Sequence, residues 1–272
     1  MHTTETGFIL LENDAKLYYE TQGAGTPLLL LHAGIADTRM WAGQLDTFAE
    51  HYRVICYDFR GYGQSPLTAG TFANHDDVAA VLDHFEIDEA HILGISFGGR
   101  TALDFTLTYP ERVKSLILGA PSVSGASSST RQDAVDEQED ALLEAGDFAG
   151  ATELMLEVWV DGPHRKPEQI DPAVRNLVYE MQMDAFLVPE PDDLTIVGLD
   201  KPAIGRLDEV RVPTLVVIGD LDVKDKVALA GRLADEIADA QLVTMTGVAH
   251  MLNMEQPEVF NEAVLAFLQK IS

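Results

Sequence analysis

The sequence is poor in cysteine, in cations and in long apolar runs. Its single cysteine, Cys56, cannot form an internal disulfide, which favours a reducing compartment and predicts a cytoplasmic location. No run of about 18 apolar residues occurs, so we expect no membrane-spanning helix. The first residues, MHTTETGF, have neither the basic patch nor the apolar stretch of a secretory signal. These absences argue against a disulfide-rich secreted scaffold and against an integral membrane protein.

Positive charge is scarce. The chain has 18 Lys and Arg residues against 45 Asp and Glu, giving a formal net charge of −27. Such a surface repels nucleic-acid phosphates and anionic membranes, so we expect neither as a partner. The same charge would slow anionic substrates if it crowded the mouth of a site, whereas an inward-turned basic residue such as Arg100 or Arg131 would favour an acid-bearing substrate.

What the sequence does contain is a regular alternation of apolar runs and helix-like segments. The runs LLLL, RVICY, HILGI, SLILG, TLVVIG and QLVTM read as strands, and amphipathic helical patterns separate them. Alternation of this kind predicts an α/β fold with a mostly parallel sheet flanked by helices. An opening hairpin through Asn13-Asp14 adds an antiparallel edge, and Asn74 is predicted to cap the helix that follows it.

The alternation stops between about Ser122 and Asp208, where acidic, helical segments follow a Ser-rich link. We predict a core formed by residues 1–121 and 209–272, interrupted by a helical cap insertion at 122–208. The alternative is a separate helical domain. The insertion is favoured because strands and helices resume on its far side.

A serine lies between glycines where a predicted strand meets a predicted helix. Gly94-Ile95-Ser96-Phe97-Gly98 matches G-x-S-x-G, the sharp turn that raises a nucleophilic serine above a sheet. Glycine is needed on both sides because larger side chains would collide there. The alternative is a tight turn with an incidental serine, which the flanking strand and helix argue against.

A serine hydroxyl needs a base to take its proton and a carboxylate to orient that base. His250 follows a late strand and is the predicted base. Asp222, in GDLD after another strand, is favoured as the acid over Asp220, which is expected to cap the turn, and over Asp225. His164 is expected to be a surface residue. The remaining candidates are expected to be solvated or capping residues: His51, His75, His84 and His91.

The negative oxygen that forms during attack needs hydrogen-bond donors. The backbone N–H groups of Phe97 and of Gly34, in the loop after LLLL, are the predicted oxyanion hole, with Ile35 as the alternative to Gly34. In the insertion, Trp159 is the predicted wall of the substrate pocket. No metal site or cofactor is expected, because the adjacent residues of HDD at 75–77 do not face one point.

Taken together, these segments resemble the α/β-hydrolase superfamily over nearly the whole chain. LLLLHAGIADTRMW is similar to its H-G-x loop, with Ala33 where glycine is usual, and YDFRGYGQS is similar to its D-x-R-G-x-G-x-S stretch. In the latter, Asp58 and Arg60 are expected to pair structurally. GISFGG, VIGDLD and GVAHMLNMEQPE resemble the segments that carry Ser96, Asp222 and His250.

The resemblance implies a serine hydrolase that cleaves a small carboxylic ester or lactone through an acyl-enzyme. Relatives that attack haloalkanes or epoxides use a carboxylate nucleophile, which Ser96 argues against. Three alternatives stay open: a carbon–carbon bond hydrolase, a perhydrolase and a slow-turnover ligand sensor. The expected partner is the small-molecule substrate, and a homodimer is left open.

Overall fold

A computed structural model describes residues 3–127 and 130–271, apart from the side chains of Asn13, Thr130 and Arg131. Its strands are β1 (Glu5–Leu10), β2 (Lys16–Gly23), β3 (Pro27–Leu31), β4 (Arg53–Tyr57), β5 (Gly70–Phe72), β6 (Ala90–Ile95), β7 (Val113–Gly119), β8 (Leu194–Ile196), β9 (Thr214–Gly219) and β10 (Ala240–Met245). Its helices are α1 (Leu45–Ala49), α2 (Asn74–His84), α3 (Phe97–Thr108), α4 (Thr130–Glu144), α5 (Phe148–Leu156), α6 (Pro172–Phe186), α7 (Lys224–Glu236), α8 (Leu252–Glu255) and α9 (Pro257–Ile271).

Eight strands form one twisted sheet in the order β1-β2-β4-β3-β6-β7-β9-β10. Pairing is antiparallel at β1–β2 and β2–β4 and parallel from β4 to β10. The prediction of a mostly parallel sheet with an antiparallel hairpin at its edge is confirmed. The residues of the central strands are buried because helices cover both faces, and Leu28 to Leu31 of β3 are all fully buried.

The insertion is mainly helical. Helices α4, α5 and α6 lie between β7 and β9 in the chain, and α5 packs against both of the others. Strand β8 leaves the insertion and pairs in parallel with β5, which forms a second, two-stranded sheet. Helix α5 continues directly into a π-helical segment, Glu157–Asp161, in which the N–H of Gly162 donates to the carbonyl of Glu157 at 3.2 Å.

Two local predictions are wrong. Asn74 is the first residue of α2 and not its cap; Ala73 occupies the cap position, where no side chain accepts a hydrogen bond. His75 and His91 were expected to be solvated or capping, but both are buried. His91 lies within β6 and its Nδ1 is 2.7 Å from Ser115 Oγ. Burial is the main cause that lowers the pKa of His91 to about 4.

The prediction for three other histidines is confirmed, because the side chains of His51, His84 and His164 are exposed.

Within residues 3–127 and 130–271, no helix combines the length and the apolar character needed to cross a bilayer.

Candidate active site

The predicted site residues follow four different strands of the main sheet. Gly34 comes after β3, Ser96 ends the turn after β6, Asp222 follows β9 and His250 follows β10. All four strands are parallel, so their carboxyl ends lie along one edge of the sheet. Residues far apart in the chain are thereby brought to the rim where ligands bind in open α/β sheets.

Ser96 has the backbone conformation of a sharp strand-to-helix turn. Its φ is +53° and its ψ is −110°, a region in which a non-glycine residue is strained. A Cβ on Gly94 would lie 2.2 Å from the carbonyl oxygen of Gly98, and one on Gly98 would lie 2.1 Å from that of Leu31. Glycine at both positions therefore lets the turn close against β3 and hold the serine at the start of α3.

His250 and Asp222 form a buried pair. Nδ1 of the imidazole lies 2.8 Å from Oδ2 of the carboxylate, and each residue is 2% exposed. The other carboxylate oxygen accepts the backbone N–H of Val223 at 2.7 Å. The aspartate is thus fixed on its own loop and holds the imidazole with Nδ1 as the donor, which leaves Nε2 able to accept a proton.

Ser96 and His250 line the same cavity, which has a volume of about 640 Å³. Within the described part of the chain, the hydroxyl of Ser96 makes no hydrogen bond to the ring or to another group. Contacts between a nucleophile and its base are often long without substrate and shorten when the reacting complex forms. The cavity is where a substrate carbonyl would meet both side chains.

Asp220 has a different role from Asp222. Its Oδ1 accepts the backbone N–H of Gly247 at 2.7 Å, which ties the end of β9 to the loop that leads to His250. Asp225 is exposed at the start of α7. Of the three acids considered from sequence, Asp222 alone is hydrogen-bonded to His250 in the described structure.

The two predicted oxyanion donors lie side by side. A Cβ on Gly34 would come within 3.3 Å of the Cβ of Phe97, so the two residues are in direct contact. Among the described residues, neither backbone N–H has an acceptor in the protein. Gly34 and Ile35 both line the cavity that contains Ser96. Two free donors beside a serine are what a developing oxyanion requires.

His32 anchors the loop that carries Gly34. Its Nδ1 donates to the carbonyl of Ala33 at 2.8 Å, and its Nε2 accepts the backbone N–H of Phe59 at 2.9 Å. Complete burial lowers the pKa of His32 to about 4, so the ring is neutral near pH 7. A neutral ring that donates once and accepts once holds the loops after β3 and β4 together.

The expected pairing of Asp58 with Arg60 is wrong. Arg60 binds Asp77 of α2 through two hydrogen bonds, at 2.6 and 2.8 Å. Asp58 instead accepts the backbone N–H groups of Thr38 and Gln64, each at 2.8 Å. Sequence proximity suggested the first pairing, but the turn after β4 directs the two side chains to different elements.

Trp159, the predicted pocket wall, lies at the centre of the site. Its ring centroid is 4.6 Å from that of His250, and it lines the cavity above Ser96. The same cavity contains the side chain of Gln182, which is 4% exposed and whose Oε1 has no partner in the part of the chain described. Gln182 was not recognised from sequence, because a glutamine in a helix carries no signal of its role.

A second group that sequence reasoning missed joins the insertion to the loop of His250. The guanidinium of Arg165 binds the carboxylate of Glu255, and their side chains are 9% and 8% exposed. Glu255 also accepts the backbone N–H of Ala249 at 3.0 Å, and Arg165 donates to the carbonyl of Val160 at 2.7 Å. One ion pair therefore links the residues next to His250 with those next to Trp159.

Within the described ranges, no three His, Cys, Asp or Glu side chains are arranged to hold a metal ion. The chemistry that the site offers is that of a serine with a histidine base, a carboxylate and two backbone donors.

A family model for the α/β-hydrolase fold matches residues 26–257. The chain therefore belongs to the α/β-hydrolase family, and the protein is an α/β-hydrolase enzyme. A solved structure described as a hydrolase from Pseudomonas aeruginosa PA01 superposes with a TM-score of 0.80 at 29% identity, covering 97% of this chain and 98% of its own.

Two relatives show how wide the chemistry of similar chains is. A protein of Azorhizobium caulinodans named "Putative carbamate hydrolase RutD" is 30% identical over 270 residues, covering 95% of this chain and 97% of its own. The 3-oxoadipate enol-lactonase 2 of Acinetobacter baylyi is 28% identical over 269 residues, covering 97% of each. The relatives agree on hydrolysis and differ in the bond that is cleaved.

Proposed function

We propose that the protein is a serine hydrolase that cleaves small carboxylic esters or lactones. The observation that carries the proposal is the buried contact of 2.8 Å between His250 Nδ1 and Asp222 Oδ2, at the rim of a cavity shared with Ser96. In the proposed reaction the Ser96 oxygen attacks the carbonyl carbon while His250 Nε2 takes its proton. The imidazolium then gives that proton to the leaving alcohol, and water releases the acyl group by the same route.

The tetrahedral intermediate carries its charge on the former carbonyl oxygen. The backbone N–H groups of Gly34 and Phe97 are proposed to bind that oxygen, and each preorganised donor is worth about 3 kcal/mol in a site of this kind. The N-terminus of α3, which begins at Phe97, adds a favourable dipole. These groups stabilise the transition state more than the neutral ester, which is the condition for catalysis.

We further propose that the insertion at 122–208 acts as a cap over a core formed by 1–121 and 209–272. Three aromatic residues of the insertion, Phe148, Trp159 and Phe186, line the same cavity as Ser96, which supports this division. A cavity of about 640 Å³ suits a small acyl or lactone substrate. A cytoplasmic location and a homodimer stay predictions from the sequence.

The test is hydrolysis of p-nitrophenyl acetate and butyrate, γ-butyrolactone and δ-valerolactone by the purified protein. Ser96→Ala should abolish turnover, and turnover that survives in this variant would remove Ser96 from the mechanism. Asp222→Asn should lower kcat by about 10³- to 10⁴-fold, since the imidazole loses its orienting acceptor. The neighbouring Asp220→Asn is the matched control, because that carboxylate binds Gly247 and not His250.

Carbamates are the second substrate class, because a relative covering 95% of this chain is named for them. The same serine attack would carry them, so an aryl carbamate belongs in the panel. Turnover of a carbamate with no ester turnover would replace the first proposal. Cleavage of a diketone or formation of a peracid would favour the carbon–carbon hydrolase or perhydrolase alternatives. A single acylation without turnover would favour the ligand sensor.

A further inference from the structure

A second cavity, of about 730 Å³, opens on another side of Ser96. Ser96 and Trp159 line this cavity as well as the first one, so a substrate at the serine can extend into both. The lining also includes Ser122 and Lys226. Neither residue belongs to the proposed catalytic groups, and neither was recognised from the sequence.

The ammonium group of Lys226 has no ionic partner among the residues that the structure describes. Nζ lies 2.5 Å from Ser122 Oγ and 3.4 Å from the carbonyl of Pro121, and it lies 5.6 Å from the centre of the Trp159 ring. Within the described residues, no carboxylate oxygen comes within 4.0 Å of it.

Desolvation is the main influence on this lysine. It lowers the pKa of Lys226 to about 8, against the weaker opposing effect of Asp222 and Asp225. The amine therefore stays mostly protonated at pH 7, in surroundings where a bound anion would be favourable.

The two cavities differ in the charges of the side chains that line them. The second cavity contains three cationic side chains, those of Arg100, Lys226 and Arg232, and two carboxylates, those of Asp136 and Asp225. The first cavity contains one cation, Arg60, and two carboxylates, Glu139 and Glu190. Arg100 and Arg232 are paired with carboxylates outside this lining, Asp104 at 3.8 Å and Glu236 at 2.7 Å, which leaves Lys226 as the unpaired cation of the lining within the described residues. The side chain of Arg131, the other basic residue considered from the sequence beside Arg100, lies outside the described part of the structure.

Ser122 places this cation beside the nucleophile. Its backbone N–H donates to the carbonyl of Ser96 at 3.1 Å, and its hydroxyl is the group that contacts Lys226. While the oxygen of Ser122 accepts from the ammonium group, its own O–H remains able to donate. A carboxylate in this cavity could accept from both groups, which is a charge-assisted arrangement.

We propose that Lys226, together with the hydroxyl of Ser122, binds a carboxylate on one arm of the substrate. The inference rests on the proposed hydrolase function and narrows its substrate class to half-esters of dicarboxylic acids and to lactones that carry a carboxylate. Lys226 is then a specificity-determining residue: it takes no part in proton transfer at Ser96.

The test compares monomethyl glutarate with methyl butyrate as substrates for the unaltered enzyme, for Lys226→Met and for Lys224→Met. Lys224 is exposed in the first turn of the same helix, so its variant removes an equal charge from outside the cavity. The ratio of kcat/KM for the half-ester over the neutral ester should fall by about 10- to 100-fold in Lys226→Met, chiefly through KM. It should stay unchanged in Lys224→Met. Equal effects of the two variants would overturn the proposal.

The dependence on pH gives a second readout. The preference for the half-ester should be lost as pH rises through about 8, because Lys226 is a cation only below that value. The lining also contains the charged side chains of Arg100, Arg232, Asp136 and Asp225. Lys226→Met keeps all of them, so a pH dependence that is lost in this variant belongs to Lys226. A preference that persists unchanged to pH 10 would contradict the assignment.

Failure of the hydrolase proposal can be distinguished from failure of the proposed carboxylate site. If neither ester is hydrolysed, calorimetry with glutarate alone still reports on the cavity. Binding by the unaltered protein that is lost in Lys226→Met and kept in Lys224→Met would support the carboxylate site. The absence of glutarate binding, or binding that is equal in all three proteins, would refute it.

Discussion

The indole of Trp159 lies against the imidazole of His250, with ring centroids 4.6 Å apart and ring planes inclined at 43°. Trp159 belongs to the insertion, whereas His250 follows the last strand of the sheet. The contact therefore joins the two parts of the chain at the proposed base.

Replacing Trp159 with alanine should lower kcat by about 10-fold or more, because a positioning contact to the imidazole is lost and small displacements of a catalytic group are costly. Trp159→Phe keeps an aromatic face and should recover much of the rate. Steady-state kinetics with p-nitrophenyl acetate would separate kcat from KM. A change confined to KM would show that the indole only forms the pocket wall.

Replacing Glu255 with glutamine should destabilise the protein by about 3 kcal/mol, because it leaves the buried guanidinium of Arg165 without its counter-charge. The amide of the glutamine can still accept the N–H of Ala249, so the loss of stability comes from the ion pair alone. Urea unfolding followed by circular dichroism measures the loss. Glu236→Gln breaks the exposed pair with Arg232 and should leave the midpoint almost unchanged. Equal effects at the two sites would show that burial of the Arg165 pair is unimportant.

The buried ring of His91 should make stability fall as the solution is acidified. Its pKa in the folded protein is about 4, below the ordinary value of 6.5, so the unfolded chain binds the proton more readily. This contribution is complete above about pH 6.5 and is lost as pH falls towards 4, amounting to about 2 kcal/mol between pH 7 and 5.

The measurement is the free energy of unfolding at pH 7 and at pH 5 for the unaltered protein and for His91→Asn. An asparagine amide can keep the contact with Ser115 without titrating. The difference between the two pH values should be smaller in the variant. Other titrating groups, including His32 and Asp58, are present in both proteins and cancel. An identical pH dependence would contradict the prediction.

Two buried glutamines should respond in opposite directions to replacement by methionine. Gln182 has an amide oxygen without a partner in the described structure, so Gln182→Met should raise the free energy of unfolding by about 1 kcal/mol. Gln44 makes three side-chain hydrogen bonds, with Asn253 and Asn261, so Gln44→Met should lower it by about 2 kcal/mol or more. Thermal or urea unfolding of both variants provides the comparison. A stability loss in Gln182→Met would show that its amide has partners in solution.

The sheet could be predicted because its strands are short apolar runs between helical patterns. The turn at Ser96 could also be predicted from a local pattern. Glycine at 94 and 98 indicates that β6, α3 and β3 approach each other too closely for larger side chains. The small sheet of β5 and β8 could not be predicted: three residues in each strand are too few to show a period. His91 was misjudged because a polar residue at the start of a strand does not reveal its neighbour Ser115.

Other groups around the site could not be predicted from the sequence either. Lys226 lies four positions after Asp222, a spacing that could have drawn attention to it, but its separation from the carboxylates of the described residues depends on packing. Arg165 and Glu255 are 90 positions apart, so only the folded chain brings them together. Chemistry that depends on a local turn can be read from the sequence, whereas selectivity that depends on distant pairs cannot.

The π-helical segment Glu157–Asp161 holds one more residue per turn than an α-helix would at the same place. Insertion of a single codon in α5, just before the segment, would rotate the segment by about 100° about the helix axis, because each residue of an α-helix turns the chain by that angle. The indole would then turn away from the imidazole even though no side chain in contact with substrate had been altered. The number of residues in this part of the chain, more than their identity, is what natural or engineered variants must preserve.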